Sequence, residues 1–223
     1  MAQQHKKRII IVDDHPVMRK GLADTLDAEI GFEVVGQFKV GEDLLQNYEK
    51  LKPDLIIIDI SLPGMSGLEL IKHLKARSPE IKILVISRHD ESLYAERAIR
   101  AGAQGYLMKL EAGEVMIKAI RKIFNGKIYV SDEISEKLLM NLAAGNKDMN
   151  MSPIDSLSDR ELEVFELTGK GDSTRAIAEK LHLSVKTVES YRARIKKKLN
   201  FDNATELMRH AVKWVENENT YFE

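Results

Sequence analysis

Three aspartates near the start of the chain are the first candidates for chemistry. Asp13 and Asp14 directly follow the apolar run at residues 8–12, and Asp59 directly follows the run at residues 54–58. If both runs are parallel strands, the three carboxylates emerge at the same edge of a sheet. Carboxylates this close repel one another and must take up a proton or bind a cation. Hard oxygen ligands with open positions suit Mg²⁺, so the aspartates predict a magnesium site.

A hydroxyl and a cation follow two later apolar runs. Ser87 ends the run at 81–86, and Lys109 follows the run at 105–108. Three acids, a hydroxyl and a lysine around a metal make a phosphoryl-transfer site, where positioning and charge neutralisation do most of the catalysis. An aspartate can be the nucleophile in such a site. Helix capping is the alternative for a single acid such as Asp14, but it explains five groups at strand ends poorly.

Five apolar runs alternate with five stretches of helical periodicity in the first part of the chain. The runs lie at 8–12, 33–36, 54–58, 81–86 and 105–108, and the helical stretches at about 15–29, 41–50, 67–77, 91–101 and 112–125. The runs do not alternate with polar residues, which indicates strands buried on both faces. The pattern predicts a doubly wound α/β domain with a five-stranded parallel sheet, in which ligands bind beyond the carboxyl ends of the strands.

The pattern changes after residue 127. A helix is predicted from 132 to 144, and the polar stretch at 145–153 is typical of a linker. Four further helices are predicted at about 159–169, 174–181, 185–199 and 203–216, with a capping box at Ser158 and Glu161 and a cap at Ser184. We therefore expect an α/β domain at 1–127, a linker with a helix at 128–155, and a small all-α domain at 156–218.

Composition narrows the function classes. The 223 residues include no cysteine, which excludes disulfide scaffolds, cysteine-ligated zinc and thiol catalysis. A net charge of -1 argues against nucleic-acid binding by bulk electrostatics. Between residues 186 and 198, however, six basic residues stand against the single acid Glu189, which predicts a local basic patch. No signal-peptide core or membrane-length apolar run is present, so we expect a cytoplasmic protein without a membrane partner.

Three segments resemble the receiver motifs of two-component response regulators, as found in the NarL/FixJ family. They are IVDDH at 11–15, DISLPGMSG at 59–67 and GAQGYLMK at 102–109. The resemblance implies a flavodoxin-like receiver in which a sensor histidine kinase phosphorylates Asp59. It also implies that Asp14, Asp59 and the backbone carbonyl of Ser61 bind Mg²⁺, with Asp13 acting through water. Lys109 would contact the phosphoryl group.

The same resemblance implies a switch formed by Ser87 and Tyr106. A phosphoryl group brings roughly two negative charges, and the Ser87 hydroxyl would turn to donate to it. Tyr106 would then rotate inward and change the packing of a two-state surface; the alternative is a static aromatic side chain. Arg88 and His89 lie near the pocket mouth and could tune the phosphate lifetime, although we interpret His89 first as an exposed loop residue.

The C-terminal segments LSDRELEV at 157–164, GDSTRAIA at 171–178 and SVKTVESY at 184–191 closely resemble the LuxR-type helix-turn-helix. The resemblance implies a tetrahelical domain that dimerises through its last helix and binds double-stranded DNA, with inverted half-sites expected for a homodimer. A recognition helix in the major groove lets its early residues meet bases and its basic residues meet phosphates. The expected DNA contacts are Ser173, Thr174, Lys186, Thr187, Ser190, Arg192, Arg194 and Lys197.

Two interpretations of Glu189 stay open. The carboxylate can accept a hydrogen bond from a cytosine amino group, or it can pair with Arg192 or the neighbours of Ala193 on the helix surface, which we favour.

The sequence as a whole predicts a phosphorylation-switched transcription factor and not an enzyme, although the receiver would assist its own phosphorylation and dephosphorylation. A phosphorelay adaptor that no longer binds DNA is a second interpretation, which Glu189 and the net charge favour weakly. An aspartate-dependent phosphohydrolase is a poor third, because Ser61 stands where such enzymes place a second acid.

Overall fold

The computed structural model describes residues 6–143 and 153–220. The chain divides into two compact units, residues 1–146 and residues 147–223. The first unit is an α/β structure and the second is helical, which confirms the predicted fold class.

A five-stranded parallel sheet forms the centre of the first unit, with the strand order β2-β1-β3-β4-β5. The strands are β1 (Lys7–Val12), β2 (Phe32–Phe38), β3 (Leu55–Ile58), β4 (Lys82–Ser87) and β5 (Gly105–Met108). The helices between and after them are α1 (Pro16–Asp27), α2 (Gly41–Leu51), α3 (Gly67–Arg77), α4 (Glu91–Ala101) and α5 (Glu114–Phe124).

Both faces of the sheet are covered, which explains why the strand sequences do not alternate with polar residues. On one face, Ile9 and Ile57 belong to a buried cluster that includes Leu26 of α1 and Ile120 of α5. The intervening residues of the same strands, such as Ile56, are equally buried. All four residues of β3 are buried.

The strand register sets the depth at which the functional side chains leave the sheet. Val12 pairs with Ile58 at the ends of β1 and β3, so Asp13 and Asp59 follow at the same level. Ser87 pairs with Met108, the last residue of β5, immediately before Lys109.

The segment after α5 adds to the first unit. Tyr129 forms a parallel bridge with Gly105, accepting from the Tyr106 amide at 2.8 Å and donating to Gln104 at 2.9 Å. Helix α6 (Asp132–Ala143) follows; it buries Ile134, and its Lys137 ammonium donates to the Ser92 carbonyl of α4 at 3.1 Å. The predicted helix within 128–155 is therefore present and contacts α4, whereas the predicted domain borders stay predictions.

The second unit contains α7 (Asp159–Gly169), α8 (Thr174–Lys180), α9 (Val185–Lys198) and α10 (Ala204–Thr220). Its core includes Phe165, Ile177, Val188, Ile195 and Leu207. The capping box of Ser158 and Glu161 begins α7, and the Ser184 side chain caps α9, because both hydroxyls accept from backbone amides of the first turn.

No helix in the described parts of the chain has the length and apolar character that crossing a membrane requires.

Candidate functional site: an acidic pocket and a recognition helix

Three aspartates and a histidine meet beyond the carboxyl ends of β1 and β3. One ligand-type atom from each of Asp13, Asp14, His15 and Asp59 lies within 4.8 Å of the others. Asp13 and Asp59 are 2% and 3% exposed, so their carboxylates are almost wholly withdrawn from water. The expected convergence of the acids is therefore present in the geometry.

Lys109 joins two of these acids. Its ammonium nitrogen lies 2.7 Å from an oxygen of Asp13 and 2.6 Å from an oxygen of Asp59. Burial raises the pKa of the Asp59 carboxyl, and the Lys109 ammonium only partly opposes that rise. Burial therefore destabilises the ionised form of Asp59, and a second cation in the pocket would stabilise it.

The donor set fits a hard divalent cation. The buried carboxylates of Asp13 and Asp59 share the single Lys109 ammonium group, and the Asp14 carboxylate lies beside them, so that an excess of negative charge favours a cation. Carboxylate oxygens are ligands that Mg²⁺ prefers. The residues present therefore fit Mg²⁺; the ligand role of the Ser61 carbonyl stays a prediction.

His15 also belongs to this pocket. It stands immediately before α1 and makes no side-chain cap. Its Nδ1 lies 2.6 Å from an Asp14 oxygen, and its Nε2 lies 2.9 Å from the Arg88 guanidinium. The only sequence signal for this role was its place next to two aspartates.

His89 lies in the loop after β4, as expected, but it is half-buried and not exposed. Its Nε2 lies 2.7 Å from the Ser61 hydroxyl, and its ring packs on the Tyr94 ring at a centroid distance of 4.4 Å. Its amide donates to the Ser87 hydroxyl at 3.3 Å. The interpretation as an exposed residue was wrong because all three partners come from other turns or elements.

Ser87 and Tyr106 are both fully buried behind the pocket. The Tyr106 hydroxyl donates to the His89 carbonyl at 2.8 Å, so the ring is turned inward. The hydroxyl of Ser87 and the aromatic ring of Tyr106 are thus joined through the backbone of one residue. Their role as a switch stays a prediction.

The second candidate site is α9 of the helical unit. Val188 and Ile195 are buried, while Lys186, Glu189, Ser190, Arg194 and Lys197 are exposed. Two of the side chains expected at DNA also organise the helix ends: Ser173 caps α8, and the Thr187 hydroxyl lies 2.7 Å from that of Ser184. The exposed side of α9 therefore presents basic residues that can bind a polyanion.

The favoured pairing of Glu189 with Arg192 is absent. The Arg192 guanidinium donates instead to the Thr174 hydroxyl of α8, at 2.8 Å. Arg194 lies over the Tyr191 ring at 5.2 Å. Helical spacing predicted a pairing within α9, but Arg192 instead contacts Thr174, which it can reach because α8 packs on α9.

A doubly wound domain with an acidic pocket, followed by a helical domain with a basic recognition helix, defines a class of signalling regulators. The family model of the response regulator receiver domain matches residues 9–121, and that of the bacterial luxR-family regulatory proteins matches residues 155–211. The chain belongs to the NarL/FixJ family of two-component response regulators and is a DNA-binding transcription regulator.

Curated relatives cover nearly the full length. The chain is 37% identical to the response regulator GacA of Pseudomonas aeruginosa, over 92% of this chain and 95% of GacA. It is 34% identical to the response regulator UvrY of Escherichia coli, over 92% of this chain and 93% of UvrY.

Solved structures agree with the family. RcsB of Salmonella typhimurium matches with a TM-score of 0.65 and 27% identity, over 94% of this chain and 98% of RcsB. RcsB bound to promoter rprA in the presence of the phosphomimetic BeF3- matches with a TM-score of 0.60 and 27% identity, over 93% and 99% of the two chains.

Proposed function

We propose that a sensor histidine kinase phosphorylates Asp59 and that this modification controls dimerisation and DNA binding by the helical domain. The observation that carries the proposal is the position of Asp59, buried at the end of β3 with its carboxylate against Lys109 and beside Asp13. Transfer forms a bond from an Asp59 oxygen to phosphorus and breaks the phosphorus–nitrogen bond of the kinase phosphohistidine.

Each neighbouring side chain has a defined task in that transfer. Asp13, Asp14 and Asp59, with the Ser61 carbonyl, would hold Mg²⁺, with Asp13 acting through water. Bound Mg²⁺ supplies positive charge against the phosphoryl oxygens. The Lys109 ammonium lies 2.6 Å from an Asp59 oxygen. It is therefore close enough to form an ion pair with the phosphoryl group once Asp59 is phosphorylated.

Ser87 and Tyr106 transmit the modification. When the Ser87 hydroxyl donates to the phosphoryl group, its contact with the His89 amide at 3.3 Å changes. The carbonyl of the same residue is the acceptor of the Tyr106 hydroxyl. A shift of His89 therefore reaches Tyr106 through one backbone unit, and Tyr106 borders Tyr129, which leads into α6.

The helical domain then binds double-stranded DNA as a homodimer on inverted half-sites. Lys186, Arg192, Arg194 and Lys197 meet phosphates or bases along the groove, while Ser173, Thr174, Thr187 and Ser190 contribute hydroxyl groups. The related protein RcsB has been solved bound to promoter DNA and as dimers bound to DNA, which supports DNA binding by a homodimer. A regulator that binds double-stranded promoter DNA acts where that DNA lies, and we therefore propose that this protein acts in the cytoplasm.

The test is labelling of the full chain by acetyl phosphate with Mg²⁺, read by mass spectrometry of the intact protein. Asp59→Asn should lose the label, because the amide cannot act as the acceptor. Asp43→Asn, a change of the same type on the exposed face of α2, should be labelled like the wild type. Undiminished labelling of Asp59→Asn would remove Asp59 from the proposal.

A further inference from the structure

Glu189 lies on the flank of the surface that the recognition helix exposes, where it borders a groove together with Thr174 and Arg192. It lies in the second turn of α9, next to the buried Val188, and its side chain is exposed. Lys186 and Ser190, both expected at DNA, are exposed on the same side of the helix. Because residues three apart are neighbours on a helix surface, a ligand that contacts Lys186 lies beside the Glu189 carboxylate.

This carboxylate makes no hydrogen bond or ion pair within the described parts of the chain. Lys186 and Arg192 stand three residues before and after it, a spacing at which helix surface pairs form. Neither closes on Glu189, and Arg192 is held by Thr174 of α8 at 2.8 Å. The acceptor atoms of Glu189 are therefore available to an external donor.

DNA offers few donors to such a group. The phosphates repel a carboxylate, and the major-groove edges of guanine and thymine present acceptors. Adenine presents its amino donor beside the N7 acceptor, a pair that suits an amide better than a carboxylate. Cytosine presents an amino donor alone, and glutamate accepts from it.

We propose that Glu189 is a specificity-determining residue that selects a cytosine in each half-site. The proposal rests on DNA binding by the helical domain and deepens it by naming a base. The basic residues of α9 attract the phosphates of any DNA sequence. Glu189 adds a contact that is favourable only where the base opposite it is cytosine.

The test is selection of bound DNA from random sequence by the full chain, treated with acetyl phosphate and Mg²⁺. The wild type should enrich cytosine at one position of each half-site, by roughly tenfold over other bases. Glu189→Gln should shift that position to adenine, because an amide pairs with the adenine amino group and N7. Glu189→Ala should lose the preference there and keep the others.

Glu179→Gln is the matched control, because Glu179 is 73% exposed on α8 and pairs with Arg175. It should leave the selected sequences unchanged, and Trp214 fluorescence should show all variants equally folded. Unchanged preferences in Glu189→Gln and Glu189→Ala, with only a uniform rise in affinity, would overturn the assignment and leave Glu189 as a repulsive charge. A wild type that selects no sequence would instead overturn DNA recognition itself.

Discussion

The phenolic hydroxyl of Tyr106 donates to the backbone carbonyl of His89 over 2.8 Å. Tyr106 is 1% exposed, so this hydrogen bond fixes a large ring in the interior. The same histidine contacts Ser61 through its ring and Ser87 through its amide. His89 therefore connects the loop after β3, the end of β4 and the aromatic side chain of β5.

Removing the Tyr106 hydroxyl should lower the stability of the receiver domain. Tyr106→Phe leaves the His89 carbonyl without this donor, and we expect a loss of about 1 kcal/mol in the free energy of unfolding. Urea denaturation followed by circular dichroism measures it. Tyr129→Phe is the control, because no hydrogen bond of that hydroxyl occurs in the described structure; equal losses in the two variants would contradict the importance of the His89 contact.

A methyl group at Gly67 should disturb the phosphorylation site directly. A Cβ there would lie 2.1 Å from the Asp59 carbonyl oxygen, so the loop or β3 must move. We expect Gly67→Ala to cost about 1–3 kcal/mol of stability and to slow labelling by acetyl phosphate.

Gly21→Ala is the matched change within α1, where a Cβ meets nothing within 4 Å. It should stabilise the protein by roughly 0.5–1 kcal/mol, because alanine restricts the unfolded chain and favours the helix. Labelling at wild-type rate by Gly67→Ala would show that the close approach to Asp59 has no functional consequence.

Lys109→Gln should bind Mg²⁺ more tightly than the wild type. The ammonium group contacts Asp13 and Asp59, and its loss leaves these carboxylates without their internal cation. We expect an increase of roughly tenfold in affinity, the effect of one close charge on a carboxylate. Isothermal titration calorimetry measures it, and Lys118→Gln on the exposed side of α5 should bind like the wild type. Weaker or equal binding by Lys109→Gln would argue that the lysine and the metal do not compete.

Acid should weaken the helical domain through Glu161. Burial alone would raise the pKa of this carboxyl, but hydrogen bonds from Lys198 and Ser158 outweigh it and hold the pKa below its ordinary value of 4.5. A depressed pKa means that the carboxylate stabilises the fold above its ordinary pKa, and that this contribution is lost as the pH falls through the folded-state value.

Unfolding of the full chain, followed by the fluorescence of its single tryptophan, reports on this domain because Trp214 packs on Phe165. Below pH 4.5 the wild type should lose stability more steeply than Glu161→Gln. Glu179→Gln, a change of the same type on the exposed side of α8, should follow the wild type. Parallel pH profiles for wild type and Glu161→Gln would assign the acid sensitivity to other groups.

The sheet and the acidic pocket were predictable because strands buried on both faces, such as β1 and β3, are continuous apolar runs in the sequence. The side chains that follow parallel strands must meet at one edge, so Asp13 and Asp59 needed no further information. His89 could not be placed in this way, since a single loop residue has no periodicity and its partners come from separate elements. Glu189 was paired wrongly because helical spacing does not include the contact that Arg192 makes with α8.

The pairing of Tyr129 with Gly105 decides where the protein can be cut for study. A receiver fragment ending at residue 127 would leave the Tyr106 amide and the Gln104 carbonyl at the outer edge of the sheet without their partners, and such an edge favours edge-to-edge association. It would also remove Ile134, which is 2% exposed, and uncover the surface that it fills on the α/β unit. A fragment extended through Ala143 keeps both hydrogen bonds and Ile134, and light scattering should show it monomeric at concentrations where the shorter fragment aggregates.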